Sequence, residues 1–115
     1  MSDYARFAQM MLNKGELDGV RILGSKTVEW MTQDHLVNLD GGPGFGLGFG
    51  VARHAGDLRK IGSVDGYSWG GFFYTSFHID PEEDMVIVFL SQLYPAEGLK
   101  LRQMIKGLAY QAIVD

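Results

Sequence analysis

The chain contains no cysteine, which excludes disulfide bonds, thiol catalysis and thiolate metal sites without fixing the cellular compartment. It has no basic excess, because 10 Lys and Arg face 14 Asp and Glu and the net charge is -4. This balance argues against nucleic acid as a partner. No apolar run approaches the roughly 20 residues that a membrane helix needs, and no signal peptide opens the sequence, so we expect a soluble protein without a membrane span.

The rest of the composition is that of an ordinary globular domain. Hydrophobic residues make up 46% of the chain and charged residues 21%. A chain of 115 residues folds as one domain and buries about 65% of its unfolded surface, which suffices for one core. We therefore expect a single domain over residues 1–115.

Three stretches carry helical periodicity. The first begins at Ser2, a predicted N-cap, and ends at Gly15. Its apolar residues share one face of a helix: Tyr4, Phe7, Ala8 and Met11. A second, short helix is predicted from the N-cap Ser25 to about Gln33, and a long C-terminal helix from about residue 96 or 97.

Strand signals predict about three antiparallel strands. Residues 45–51 alternate between apolar residues and glycine, residues 72–79 are rich in aromatic and β-branched types, and residues 85–90 form an almost continuous apolar run. Residues 80–84, which include Pro81, supply a turn that makes the last two strands a hairpin. Helices packed on such a sheet give an α+β architecture with N-terminal helices and a long C-terminal helix.

The alternation at 45–51 places Gly46, Gly48 and Gly50 on one face of the predicted strand. A face without side chains allows another element to approach the backbone closely, and we expect a helix to lie there. The glycines do not form a phosphate-binding loop, because neither G-x-G-x-x-G nor G-x-x-x-x-G-K-[ST] is satisfied and no helix pattern follows.

Residues 66–70 match G-x-S-x-G, the nucleophile elbow of α/β-hydrolases, with Ser68 at the nucleophile position. The elbow requires a strand before the serine and a helix after it, whereas we expect a loop before Ser68 and a strand after it. The triad also needs an acid and then a histidine downstream, yet His78 precedes the acidic turn at 80–84. We therefore interpret the match as fortuitous, and catalysis through Ser68 or Ser63 stays a weaker alternative.

No metal site and no cofactor are predicted. The histidines His35, His54 and His78 lie far apart in the sequence, and none has a ligand partner at i+4. Acidic residues cluster at 82–84, but they lie in a predicted turn, where a solvated charge run is the ordinary interpretation.

Five segments, in order, carry a family resemblance. They are the helix and turn at 2–19, Ile22-Leu23-Gly24-Ser25-Lys26-Thr27-Val28-Glu29, Gly46-Leu47-Gly48-Phe49-Gly50, Trp69-Gly70-Gly71, and Asp80-Pro81 with the strand after it. Together they resemble the C-terminal part of the class C-like branch of the serine β-lactamase, penicillin-binding-protein and esterase family. Trp69-Gly70-Gly71, called the third motif below, aligns with the family's K-T-G or H-x-G, which is W-G-G in many esterase-like members. The resemblance implies a partial β-lactamase/transpeptidase-like fold.

The family reaction is acyl transfer through a serine ester, with the nucleophile and its lysine partner in S-x-x-K. The resemblance implies that Gly71 allows close backbone approach and that the backbone N–H of Phe72 belongs to the oxyanion hole. It also implies that Trp69 and Gly70 bind substrate. Since an indole N–H is a single neutral donor, a neutral ester is favoured over a β-lactam or peptide carboxylate. The alternative for Trp69 is a core or edge aromatic.

Two departures from the family pattern matter. Tyr74 occupies a position where the family has a small residue, so we expect the sheet surface behind the third motif to be repacked or partly filled. In addition, none of the serines has a lysine three positions later, so S-x-x-K does not occur in the 115 residues. Tyr74-Thr75-Ser76 lies in a predicted strand and is not the family's second motif. The nucleophile, its base and the second motif are therefore expected upstream of Met1.

The expected function follows from this incompleteness. We expect the C-terminal portion of a β-lactamase-like serine hydrolase that acts on an ester or β-lactam only when an N-terminal part completes it. The alternative is a non-catalytic module of the same fold that binds a ligand or self-associates. An open sheet edge and an uncovered apolar face predict a homodimer or a swapped assembly. The bacterial cytoplasm and periplasm both stay open.

Overall fold

The computed structural model describes residues 1–37, 44–52 and 62–114. Within these ranges the helices are α1 (Ser2–Leu12), α2 (Ser25–Met31) and α3 (Leu101–Gln111). The strands are β1 (Glu16–Leu17), β2 (Val20–Arg21), β3 (Gly44–Phe45), β4 (Gly50–Val51), β5 (Tyr67–Gly70), β6 (Ser76–Asp80) and β7 (Met85–Phe89). The α+β prediction is confirmed. No helix in the described ranges is both long and apolar enough to cross a membrane.

The main sheet has five strands in the order β3-β4-β5-β6-β7, and every neighbouring pair is antiparallel. The predicted number of about three strands is too low for two reasons. The predicted strand at 45–51 is itself a hairpin, in which Phe45 pairs with Gly50 and Gly48 turns the chain with a φ of +92°. In addition, β5 lies in a stretch that the sequence predicts as a loop.

The hairpin around residues 80–84 is confirmed, since β6 pairs with β7 from Ser76 opposite Phe89 to Asp80 opposite Met85. The start of its first strand is wrong, however. β6 begins at Ser76, so residues 72–75 lie in the turn that precedes the strand. Aromatic residues favour a strand by propensity, but at residues 72–74 the backbone turns, and the N–H of Tyr74 donates to the Gly71 carbonyl.

The first two helices each begin one residue earlier than predicted. Ser2 and Ser25 are the first residues inside their helices, while Met1 and Gly24 occupy the caps and contribute no side-chain hydrogen bond. α1 ends at Leu12, shortly before the predicted stop at Gly15, and this glycine lies in the turn after the helix with a φ of +99° and its N–H donating to the Met10 carbonyl. Glycine reaches this backbone region without the steric cost of a side chain.

One face of the sheet packs against α1 and carries the hydrophobic core. Along β6, Phe77 and Ile79 lie on this face and are 5% and 0% exposed. The ring centroid of Phe49 lies 5.2 Å from that of Tyr67 and 5.8 Å from that of Phe77. The other buried members come from the helices: Ala8, Met10, Met11 and Val28. Through Tyr67, this core holds β5, the strand that ends in the third motif.

The opposite face of the sheet carries α3, which is attached by polar contacts. This helix begins at Leu101 and not near 96 or 97, and none of its residues is buried. The Tyr110 hydroxyl donates to the fully buried carboxylate of Asp80 and lies 3.0 Å from Nε2 of His78. Three backbone N–H groups also donate to the carboxylate: those of Ser63, Glu82 and Glu83. We call His78, Asp80 and Tyr110 the polar cluster.

Burial governs the protonation of the polar cluster. It lowers the pKa of His78 to about 4, with the Lys106 cation adding to this effect and Asp80 opposing it. Burial acts to raise the pKa of Asp80, but hydrogen bonds from Tyr110 and Ser63 outweigh it and hold that pKa below its ordinary value. Burial and the bond to Asp80 raise the pKa of Tyr110. At neutral pH the cluster therefore holds a neutral imidazole, a carboxylate and a neutral phenol.

This protonation predicts a loss of stability between pH 6.5 and pH 4. His78 has a folded pKa of about 4, below its unfolded value of about 6.5, so in this window the unfolded chain binds a proton that the folded chain excludes. The free energy of unfolding should fall as the pH falls, by on the order of 3 kcal/mol in total. Urea unfolding followed by circular dichroism at a series of pH values measures it.

The matched variant for this prediction is His78→Gln, which keeps a polar group beside Tyr110 but does not titrate. Its unfolding free energy should lose most of the dependence on pH above pH 4. The lowered pKa of Asp80 contributes stability that is lost as the pH falls through its ordinary value of 3.8 and below, so most of that loss lies outside the window. An unchanged pH dependence in the variant would show that another group causes it.

The glycine face of the 45–51 segment behaves as predicted at one position only. A Cβ on Gly46 would lie 2.2 Å from the carbonyl oxygen of Met31, the last residue of α2, so a helix does approach the backbone there. Gly50 instead meets β5, through the Ser68 carbonyl and the Trp69 ring. No described atom lies within 4 Å of a Cβ built on Gly48.

Alanine substitutions separate close approach from backbone conformation in this segment. Gly46→Ala should destabilise the protein by about 2 to 3 kcal/mol, because backbone atoms of α2 must move. Gly48→Ala meets open space and suffers only from its positive φ, so it should cost about 1 kcal/mol. Urea midpoints of the two variants measure the difference, and a larger loss for Gly48→Ala would contradict the explanation.

Candidate functional site

The third motif lies at the end of β5 and in the turn that leads to β6. Trp69 and Gly70 are the last residues of β5, where they pair with Phe77 and Ser76 of β6. Residues 71–75 form the connection, which we call the motif turn. The sequence predicts a strand that starts at residue 72, directly after the motif, whereas the chain enters the motif as a strand and leaves it as a turn.

The motif turn is fixed by hydrogen bonds from inside and outside. Within it, the N–H of Gly71 donates to the Thr75 carbonyl at 3.0 Å, and the N–H of Tyr74 donates to the Gly71 carbonyl at 3.1 Å. From outside, the Ser91 hydroxyl contacts the carbonyls of Phe73 and Tyr74 at 2.8 and 3.0 Å. A turn held at this many points presents its remaining backbone groups in a defined direction.

Phe72, the predicted oxyanion-hole residue, lies in this turn. Its backbone N–H donates to no acceptor among the described residues. Its side chain is 71% exposed and stacks on the ring of Tyr94, with the centroids 4.7 Å apart, while Phe73 packs edge-on against it at 5.2 Å. An unpaired N–H on a fixed turn is able to bind an oxygen atom from outside the chain.

Trp69, the predicted substrate-binding residue, lies on the sheet face shared with Tyr67. Its ring packs edge-on against Phe45 at 5.1 Å and lies over Gly50. The residue is 54% exposed, so it is an edge aromatic and not a core residue. Its indole N–H has no acceptor within the part of the chain that the structure describes, and an indole N–H is a single neutral donor.

The two glycines of the third motif lie close to other side chains of the chain, Gly71 more tightly than Gly70. A Cβ on Gly71 would lie 2.3 Å from Oγ1 of Thr75, and a Cβ on Gly70 would lie 3.0 Å from the guanidinium of Arg102. Close approach at these positions therefore occurs without any ligand. Sequence reasoning missed Arg102, because an arginine in the first turn of a surface helix carries no signal that it reaches a turn 31 residues earlier.

Tyr74, the departure from the family pattern, fills the space behind the third motif. It is 8% exposed, its hydroxyl donates to the Leu99 carbonyl at 2.7 Å, and the Arg102 guanidinium carbon lies 4.4 Å from its ring centroid. Its φ of +67° is in the left-handed region that favours glycine. The tyrosine therefore adopts a strained backbone conformation, and its buried side chain connects the turn to α3.

Ser68 does not lie in a nucleophile elbow. It sits inside β5, opposite His78 in the register, and the next element along the chain is β6 and not a helix. Its hydroxyl makes no hydrogen bond to a base among the described residues. The described ranges also contain no group of three His, Asp or Glu residues that could hold a metal ion, and His54 lies outside those ranges.

A cavity of about 830 Å³ lies away from the third motif. It opens beside the start of β5 and the end of α1, and its walls include Lys14, Val28, Tyr67 and Pro81. None of residues 69–72 lines it. The chemistry that the motif implies is therefore not centred on this cavity.

Comparison with known proteins identifies a family for most of the chain. The family model described as Beta-lactamase matches residues 1–109. Two relatives from Mycobacterium tuberculosis, "Uncharacterized protein MT1414" of strain CDC 1551 and "Protein Rv1367c" of strain H37Rv, are each 33% identical over 107 residues. The matches cover 81% of this chain but 27% of each relative, so the chain spans about a quarter of their length.

The family match extends through α1, the whole five-stranded sheet and most of α3, and the α+β architecture is compatible with part of a β-lactamase-like fold. The chain belongs to the β-lactamase family.

Proposed function

We propose that this chain is the C-terminal portion of a serine hydrolase, in which it supplies the third-motif side of the active site. The observation that carries the proposal is the N–H of Phe72, which has no acceptor among the described residues and is held by a hydrogen-bonded turn directly after Trp69-Gly70-Gly71. In acyl transfer, such a donor stabilises the negative charge that develops on the carbonyl oxygen under attack. The second donor would be the N–H of the nucleophilic serine.

The substrate we propose is an ester without a carboxylate beside the acyl group. Trp69 carries a half-exposed indole beside the motif, and its N–H has no acceptor in the ranges 1–37, 44–52 and 62–114. A neutral single donor binds an ester or amide oxygen, whereas tight binding of a carboxylate calls for a cation. A β-lactam, which carries a carboxylate in the antibiotics of this class, is therefore the second choice.

The chain alone is proposed to be catalytically incomplete. The 115 residues contain no S-x-x-K, and they span 27% of the relatives' length. The nucleophile, its lysine and the second motif are then contributed by a polypeptide outside these residues. Losing the nucleophile of a serine hydrolase costs on the order of 10⁶ in turnover, so the isolated chain should have no measurable esterase activity.

Reconstitution tests this proposal. The chain should show no burst with p-nitrophenyl butyrate and no mass adduct with a serine-directed phosphonate. Mixing it with a polypeptide that carries S-x-x-K and the second motif of a full-length family member should produce both. An inactive mixture would favour the non-catalytic module, and a phosphonate adduct on Ser68 or Ser63 of the isolated chain would favour independent catalysis.

The control variants for the mixture concern Phe72. Phe72→Pro removes the one backbone N–H in question without breaking a hydrogen bond inside the turn, so kcat should fall by roughly 10² to 10³. Phe72→Ala keeps the N–H and should retain activity within about tenfold. Equal activity of the two variants would remove Phe72 from the oxyanion hole.

We also propose that the isolated chain self-associates. The outer edge of β7 pairs with no strand in the described ranges, and all five residues of β7 are only half-buried. An unpaired edge beside partly exposed apolar residues favours strand pairing with a second chain. Size-exclusion chromatography with light scattering should give about twice the chain mass of 12.8 kDa, and a monomer at all concentrations would contradict the proposal.

A further inference from the structure

Arg102, in the first turn of α3, contacts the third motif directly. Its Nη2 donates to the carbonyl oxygen of Gly71 at 2.9 Å. Its guanidinium also lies against the backbone of Gly70, where a Cβ would be 3.0 to 3.2 Å from three guanidinium atoms. The glycine therefore leaves the space in which the cation sits, and the arginine reaches the motif from the sheet face opposite the core.

The peptide group that Arg102 holds is the one that carries the Phe72 N–H. The Gly71 carbonyl and the Phe72 N–H belong to the same planar unit, and this peptide bond is trans. In a trans peptide the C=O and N–H point in opposite directions. A contact that fixes the carbonyl towards α3 therefore fixes the N–H away from α3, and it also fixes the angle at which the N–H meets an incoming oxygen.

Two donors converge on the Gly71 carbonyl. One is the N–H of Tyr74 at 3.1 Å, within the motif turn, and the other is Arg102. Only the second carries a charge, and a charged donor on a carbonyl withdraws electron density from the amide and strengthens its N–H as a donor. The contact thus affects both the direction and the strength of the Phe72 N–H.

Arg102 is itself held in place. Its guanidinium carbon lies 4.4 Å from the ring centroid of Tyr74, and the Tyr74 hydroxyl is fixed by the Leu99 carbonyl at 2.7 Å. The Nε atom of Arg102 is buried and has no hydrogen-bond partner, and no carboxylate in the described ranges pairs with the cation. A partly buried cation whose polar partner is a neutral carbonyl directs its field at the motif.

We infer that Arg102 is a positioning residue for the oxyanion hole, which orients and strengthens the Phe72 N–H by donating to the carbonyl of the same peptide. The inference rests on the proposed function for its catalytic meaning. Arg102 does not touch the substrate in this role, so its loss should reduce kcat and leave KM for a neutral ester nearly unchanged.

The first arm of the test uses the isolated chain and needs no activity. The carbonyl ¹³C shift of Gly71 and the amide shift of Phe72 are measured by NMR in the wild type, Arg102→Leu, Arg102→Lys and the control Arg6→Leu, whose arginine pairs with Asp18 far from the motif. Arg102→Leu should move both signals, Arg102→Lys should move them less because it keeps one charged donor, and Arg6→Leu should leave them in place. Unmoved signals in Arg102→Leu, with the rest of the spectrum native, would overturn the inference.

The second arm uses the reconstituted mixture with p-nitrophenyl butyrate. Arg102→Leu should lower kcat by roughly 10- to 100-fold, less than the loss of the donor itself, with KM changed by less than about twofold. Arg102→Lys should recover part of kcat, and guanidinium ions added to an Arg102→Ala mixture should do the same. Arg102→Lys also keeps the test valid if Arg102→Leu does not fold.

The outcomes separate this inference from the proposed function. An inactive wild-type mixture overturns the proposed function. The positioning role of Arg102 in catalysis is then overturned as well. An active wild-type mixture with an unchanged kcat in both Arg102→Leu and Arg102→Lys overturns the inference alone. A rise in KM confined to esters that carry a carboxylate, without a change in kcat, also overturns it, because Arg102 would then bind the substrate.

Discussion

The attachment of α3 to the sheet is the constraint on which the candidate site depends. The helix has no fully buried residue, and polar contacts hold it at two points along its length. Arg102 contacts the motif turn at one end of β6, and Tyr110 contacts Asp80 at the other end of the same strand. Because Asp80 also accepts backbone N–H groups from the turn before β7, the helix links both turns that flank β6. The geometry of the third motif is therefore a property of the helix and sheet together.

The glycines of the third motif are favoured by contacts inside the chain as well as by the close approach of a substrate that the family resemblance implies. A Cβ on Gly71 would clash with Thr75, and a Cβ on Gly70 would have to displace the Arg102 guanidinium, so both constraints act before any substrate is considered. Tyr74 is also constrained by contacts within the chain, but it keeps a large side chain at a position with a positive φ. It adopts a φ of +67°, which costs backbone energy, and it offsets that cost through its ring contact with Arg102 and its hydrogen bond to Leu99.

The sequence predicts the parts of this fold that depend on local periodicity, and it misses the parts that depend on distant contacts. The first helix, its end shortly before Gly15 and the hairpin around residues 80–84 follow from spacing and turn chemistry. The alternation at 45–51 misleads, because a short hairpin and a single strand give the same period when every second residue is glycine. The third motif is found through its resemblance to a family, but the contact of Arg102 with Gly71 joins residues 31 positions apart and leaves no local trace.

The contacts that hold α3 join residues far apart in the sequence, and this separation bears on partial unfolding. The contacts of α3 with the two turns close loops of 31 and 30 residues, whereas β6 and β7 are joined by a tight turn. Long loops cost more entropy to close, and a helix without buried residues gains little apolar contact in return. Detachment of α3 would therefore open two long loops while it exposes no fully buried residue of the helix itself. The sheet would persist in that state, while the peptide between Gly71 and Phe72 would lose its charged partner.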